Sequence, residues 1–313
     1  MAVGERPLLL LDCDPGHDDA LALALAARHG DLVGVTTVAG NVPLERTTAN
    51  ALTMCEVLGL DVPVHAGSPR PLVAELRTAE VIHGASGLDG PAHPPHGRSA
   101  ASNDAVGFIV EAVRAHPGAL WLIATGPLTN VALALRAAPD VAEALRGVSI
   151  MGGGIPWGNV TPAAEFNILV DPEAADVVFR SGVPLTMAGL DATHQWMIDA
   201  PIVERVRATG GAAAAFCADL LDFYGAAYGR AYSGRHAGPL HDPVAVLAIT
   251  HPGLVTTERL HVAIELTGTH TRGMTVADLR GVRRGAAPNV DVVRTVDAAA
   301  ATDVLVDTLA DYR

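Results

Sequence analysis

Leu8-Leu-Leu-Leu-Asp-Cys-Asp-Pro-Gly-His-Asp-Asp-Ala20 is the stretch on which the reading of the fold turns. Four leucines ahead of Asp12 read as a strand buried on both faces, the kind that parallel sheets use. Pro15-Gly16 supplies a turn, and Asp18 to His29, rich in alanine and leucine, reads as a helix. The same alternation continues along the chain. Strands are expected at Val33 to Val38, Leu120 to Ala124, Val148 to Met151 and Leu185 to Ala188. Helices are expected at Leu44 to Leu58, Leu128 to Ala137 and Pro172 to Arg180. A helical block follows from Ala200 to Tyr228, then a helix after Pro243. Arg259 to Val296 reads as short antiparallel strands before a final helix to Leu309. This pattern predicts an α/β fold: an open, mostly parallel sheet flanked by helices, Rossmann-like in layout, with a small antiparallel addition near the C-terminus. No repeat or linker interrupts the 313 residues, so a single domain over 1–313 is expected. Gly84 to Arg98, rich in glycine, proline and histidine, reads as a mobile surface loop that could close over a ligand.

Composition narrows the chemistry. No apolar run approaches the roughly 20 residues that a membrane-spanning helix needs. Nothing in the opening residues resembles a secretory signal, so a cytoplasmic location is expected. Cys13, Cys55 and Cys217 are odd in number and widely spaced, which fits reduced buried thiols. A net charge of −13 argues against binding nucleic acid or an anionic membrane. All 21 basic residues are arginine. Without lysine, Schiff-base chemistry, a P-loop nucleotide site and a kinase-type clamp are excluded.

The opening stretch puts Asp12 and Asp14 at the carboxyl end of the first strand, with Asp18 and Asp19 at the start of the helix. Ligands of open α/β sheets bind at that end. Like charges this close raise one another's pKa unless a cation or hydrogen-bond donors compensate. A helix N-terminus offers only about 0.3 to 1 kcal/mol per charge. Asp18 could simply cap the helix, and Asp12 could be held by backbone donors, but capping needs one acid and not four. An all-oxygen set suits Ca²⁺ or Mg²⁺.

Other strand ends carry polar residues too. Val38-Ala-Gly-Asn41, Ala124-Thr-Gly-Pro-Leu-Thr-Asn130 and Met151-Gly-Gly-Gly154 each follow a predicted strand. Ala164-Glu-Phe-Asn167 offers a carboxylate and a carboxamide suited to gripping sugar hydroxyls. Leu240-His-Asp-Pro243 adds an acid, Asp242, that could complete a metal shell, and a histidine, His241, that could donate a proton. Tyr224, Tyr228 and Tyr232 share one helix face. They read either as core packing or as a wall facing a base, with hydroxyls available as donors. Trp121 and Trp157 read as core or rim. Trp196 and His236 receive no role.

Together these segments resemble the inosine-uridine-preferring nucleoside hydrolase family, the opening Asp12-to-Asp19 motif being the most specific part. Ile82-His-Gly84 belongs to the same series. The resemblance implies a Ca²⁺-dependent enzyme that cleaves the N-glycosidic bond of ribonucleosides and assembles as a homodimer or homotetramer. It implies that Asp14, Asp19, Asp242 and the Thr125 carbonyl ligate the ion, and that Asp14 is also the general base. Asp18, Asn41, Met151, Asn159, Glu165 and Asn167 would bind the ribose or line its pocket. His83 and His241 would face the leaving base, with Tyr228 and Tyr232 as further base-facing candidates. Members that strictly prefer purines tend to sandwich the base between tryptophans. Histidines at those positions imply a pyrimidine-tolerant or broad specificity.

Two rivals share parts of this pattern. A strand ending in Asp-x-Asp also opens haloacid-dehalogenase-like phosphatases, but Gly16 stands where Thr or Val is usual there, and the phosphate-binding lysine is missing. A non-catalytic, calcium-stabilised nucleoside-binding protein is the other, and the presence of Asp14 and both histidines speaks against it.

Overall fold

The computed structural model describes residues 6–95, 97–281 and 285–312. His96 of the glycine-rich stretch, 282–284 of the C-terminal strand region and most of the opening residues lie outside these. Six strands come first: β1 (Leu8–Cys13), β2 (Asp31–Thr37), β3 (Val64–Ala66), β4 (Leu120–Ala124), β5 (Gly147–Met151) and β6 (Leu185–Ala188). Short β7 (Met197–Asp199) and β8 (Ala237–Pro239) pair antiparallel. β9 (Val255–Leu260) precedes a second antiparallel pair, β10 (Val262–Ile264) with β11 (Thr275–Ala277), and β12 (Val290–Val296) comes last.

The main sheet runs β3-β2-β1-β4-β5-β6-β12-β9. All its pairings are parallel except β12 with β9. The expected α/β architecture is present, with one difference in the tail. β12 enters the main sheet parallel to β6, because Val290, Val292 and Val293 are fully buried and a position between two strands buries both faces.

Side chains alternate across β1. Leu9, Leu11 and Cys13 face one apolar layer and Leu10 the other. Helices His17–His29, Ala212–Tyr228, Asp242–Thr250 and Ala298–Asp311 cover the first face. Ala105–Ala115, Thr129–Ala137 and Pro172–Arg180 cover the second. The His17–His29 helix is buried from His17 to Ala26, as a helix apolar on all sides must be. Its alanines let it lie close to the Asp242–Thr250 helix. That contact brings Asp242 beside the opening motif, which lies more than two hundred residues earlier in the chain.

Polar latches fix the strand ends. Asn130 Nδ2 donates to Asp12 Oδ1 at 2.8 Å and to the Thr37 carbonyl at 3.0 Å, while its Oδ1 accepts from Ser68 N–H at 2.9 Å. Thr36 Oγ1 donates to the same Asp12 oxygen at 2.6 Å. Asp12 is therefore held by side-chain donors and not by the backbone donors that were the alternative reading. Asn130→Ala should cost about 3 kcal/mol, since it strands buried groups on three segments; the shift of the urea midpoint measures this.

Candidate active site

The chain moves outward from β1 to β3, then returns to the other side of β1 with β4. The carboxyl ends of β1 and β4 therefore form a topological switch point, where a crevice opens. A cavity of about 440 Å³ lies there, in the size range that encloses a small organic ligand.

Asp14 sits in a cradle of glycines. A Cβ on Gly40 would fall 2.1 Å from Asp14 Oδ2, and one on Gly126 would fall 2.5 Å from Oδ1. Gly126→Ala should thus displace the carboxylate and lower activity by more than about tenfold while the sheet stays intact, as a sub-ångström misplacement at a reacting group does; parallel kinetics and circular dichroism test it. Asp14 Oδ2 accepts the Asn41 N–H at 2.7 Å. Its Oδ1 is buried and has no hydrogen-bond partner among the described residues.

The helix cap is made by Asp19, and not by Asp18. Asp19 Oδ2 accepts the Gly16 N–H at 2.9 Å and Asn41 Nδ2 at 3.2 Å, while Oδ1 accepts Thr125 Oγ1 at 2.7 Å. Asp18 lines the cavity, and the backbone N–H groups of His241 and Asp242 donate to it. Carboxylate oxygens of Asp18, Asp19 and Asp242 all lie within 4.8 Å of one another. Asp14 adjoins this triad closely enough to raise the pKa of Asp242. Burial, then the neighbouring carboxylates, pushes Asp18 up to about 7 and Asp14 and Asp242 well above the usual range. Four buried acids with an orphaned oxygen fit a hard divalent cation, which supplies the missing partner and restores the charged forms.

The proposed sugar side gathers as the sequence suggested. Asn41, Met151, Asn159, Glu165 and Asn167 all line the cavity. Glu165 caps the Phe166–Val170 helix, accepting the N–H groups of Asn167, Ile168 and Gly153 at 2.9, 3.1 and 2.9 Å. Burial outweighs these donors and pushes Glu165 to about 7. Asn167 Nδ2 donates to the Thr125 carbonyl at 2.7 Å and the Met151 carbonyl at 3.1 Å, which leaves its own carbonyl oxygen available.

His83 and His241 complete the wall. Burial lowers His241 to about 3 and holds His83 well below the ordinary histidine range, so both rings are neutral near pH 7. His241 Nδ1 lies 2.7 Å from Thr193 Oγ1. Tyr224, Tyr228 and Tyr232 line the same cavity, but two of their hydroxyls are already engaged, which corrects the idea of free donors. Tyr224 donates to the Pro239 carbonyl at 3.0 Å. The Tyr228 hydroxyl lies 2.9 Å from His194 Nε2. Tyr232 stands half exposed at the mouth.

Sequence reasoning passed over several wall residues. Phe166 and Arg77 line the cavity, and Thr193 and His194 support it. The last two follow β6, so the strand-end rule applied to Leu185–Ala188 would have found them. Of the unassigned residues, Trp196 is core and donates to Thr302 Oγ1 at 2.9 Å. Trp157 is half exposed, and His236 pairs with Asp222 at the surface.

An acid-lined crevice at the switch point of a mostly parallel sheet, walled by amides and histidines, defines a protein of the nucleoside hydrolase type. The family model described as inosine-uridine preferring nucleoside hydrolase matches residues 9–303, and the chain belongs to this family. It is accordingly an enzyme, a ribonucleoside hydrolase. The chain is 43% identical over 307 residues to the pyrimidine-specific ribonucleoside hydrolase RihA of Citrobacter koseri, covering 97% of this chain and 98% of the relative. It is 41% identical over 295 residues to RihB of Escherichia coli O139:H28, also named pyrimidine-specific, with 94% of each covered. Among solved structures, a purine-preferring ribonucleoside hydrolase from Gardnerella vaginalis superposes with a TM-score of 0.90 at 33% identity, covering 97% of this chain and 98% of that one.

Proposed function

We propose that the crevice hydrolyses pyrimidine ribonucleosides to free base and ribose with a calcium ion bound, tolerating other bases less well. The observation that carries this is the buried acid cluster: Asp18 and Asp242 line the same cavity as the amides and neutral histidines, and Asp14 Oδ1 beside them is buried without a partner among the described residues. Both relatives at more than 40% identity carry the pyrimidine-specific name, which supports the base preference.

Asp14, Asp19, Asp242 and the Thr125 carbonyl would hold the ion, with an Asp18 oxygen within reach. When bound, calcium supplies a positive charge that orients a water and the ribose diol and makes the water more acidic. The chain's own residues then divide the work. Asp18, Asn41, Asn159, Glu165 and Asn167 hold ribose hydroxyls, beside Met151. Asp14 takes the proton of the attacking water, its Oδ1 being engaged by no other group of the described residues. The water oxygen bonds C1′, and the C1′–N electron pair leaves with the base. With the Thr193 hydroxyl, 2.7 Å from His241 Nδ1, as the donor, the ring proton sits on Nε2 and would stabilise that charge until a solvent proton completes the base. Tyr228 and Tyr232 pack beside the base.

A reducing-sugar assay with uridine, cytidine, inosine and adenosine tests the reading. Uridine and cytidine should be the fastest, a chelator should stop all four, and calcium should restore them; turnover unaffected by the chelator would overturn the metal assignment. His241→Ala should slow uridine by about 100-fold and leave a p-nitrophenyl riboside, whose leaving group needs no help, within a few-fold. Cytoplasmic residence and a homodimer or homotetramer are part of the same proposal. Light scattering on the purified protein tests the oligomer.

A further inference from the structure

His17 lies inside the opening motif, yet it lines no part of the cavity and is fully buried. Its Nε2 is 2.8 Å from the Asp89 carbonyl oxygen, which can only accept, so the proton of the ring is on Nε2. In the neutral ring, Nδ1 is then a bare lone pair. That lone pair faces His83 Nδ1 at 3.1 Å. Two opposed lone pairs at this distance repel without solvent between them, so the contact holds only if His83 carries its proton on Nδ1. The rings are stacked 5.3 Å apart, and His17 is stacked in turn on Phe223, so the pair has little freedom to turn away. The backbone N–H of His17 also points at His83 Nδ1, from 3.3 Å. It is one of the first-turn amides that a helix leaves unpaired, and it yields to the shorter contact.

We propose that His17 is a positioning residue that locks His83 in the Nδ1–H tautomer, so that the Nε2 lone pair, and not an N–H, meets the nucleoside. His83 borders the cavity, and the hydrogen bonds of its ring among the described residues engage Nδ1 alone, not Nε2. The inference rests on the placement of His83 beside the substrate proposed above, and it changes the role expected there. His83 accepts a hydrogen bond and does not protonate the base, whereas His241 presents an N–H. The site therefore selects nucleosides that offer a donor opposite His83. That donor is an N–H of the base or the ribose 5′-hydroxyl.

Ring ¹⁵N shifts of histidine-labelled protein, assigned by the signals lost in His83→Gln, read the tautomer without substrate. His83 Nδ1 should be pyrrole-like and Nε2 pyridine-like. In His17→Phe, which keeps the stack, the backbone N–H becomes the sole partner of Nδ1 and the pattern should invert. A protonated Nε2 in the wild-type protein, or an unchanged pattern in His17→Phe, overturns the proposal even if the enzyme is active on nucleosides. In kinetics, 3-methyluridine and 5′-deoxyuridine identify the donor. One of them should lose about tenfold in kcat/KM against uridine, through KM, and that loss should vanish in His17→Phe and in His83→Ala. Equal penalties in all three proteins would overturn the selection role. Equal activity of His83→Ala and wild type on every substrate would instead remove His83 from the site, and the proposal with it.

Discussion

Asp14→Asn is expected to lower kcat on uridine by about 10³- to 10⁴-fold, the upper range for loss of a general base. The substitution keeps the volume and the contact with the Asn41 N–H, 2.7 Å from Oδ2. The protein should therefore keep its circular dichroism and melt no lower than wild type. Removing one of the repelling acids even favours the ion-free fold, because neighbouring carboxylates raise the pKa of Asp242. KM for uridine should move little if the ribose is held by the amides of the opposite wall. A residual rate within tenfold of wild type would take the base role away from Asp14.

The second large effect is on stability. Asp18 is pushed up to about 7 by burial and by Asp19, and burial and neighbouring carboxylates also raise Asp14 and Asp242 well above the usual carboxylate range. A carboxyl whose pKa is higher folded than unfolded binds more protons in the native state, so stability falls as pH rises. The ion-free protein should thus be most stable below the ordinary carboxylate pKa, near 4, and lose stability progressively through about 7 and above. Between pH 5 and pH 8 the melting temperature of chelator-treated protein should drop by about 5 °C. Calcium at a thousandfold excess over Kd should add about 4 kcal/mol at pH 8 and much less at pH 5, where protons compete for the same oxygens. Asp242→Asn should flatten the pH slope and remove most of the calcium response. Calorimetry over this pH range with and without calcium decides it. A melting temperature that rises toward pH 8 without the ion would contradict the picture of an uncompensated acid cluster.

Much of this was legible before any coordinates, for identifiable reasons. Leu8–Asp12 is apolar without alternation, which only a strand covered on both faces tolerates, and Pro15-Gly16 leaves one way for the helix to start. Strand ends at Asp14, Asn41, Thr125 and Met151 followed from one rule about parallel sheets; the last three line the crevice, and Asp14 lies behind them, hydrogen-bonded to the Asn41 N–H. Short elements were not legible. β3 has three residues and the Leu190–Thr193 helix has four, too few to show a period. Pairings between distant residues were also hidden. No local pattern says that Asn130 reaches Asp12, that the Tyr228 hydroxyl meets His194, or that His17 stands against His83. The division between Asp18 and Asp19 was unreadable as well, because adjacent acids at a helix start differ only in which side of the turn they meet.

The place of β12 has a bearing on how the molecule is made. It lies between β6 and β9, although it follows both in the chain. A nascent polypeptide can assemble β1 to β6 as it leaves the ribosome, but the far edge stays open until β12 has emerged. A chain that stops short of β12 would then present an unpaired β6 edge and be a substrate for chaperones and proteases before it could ever become a catalyst.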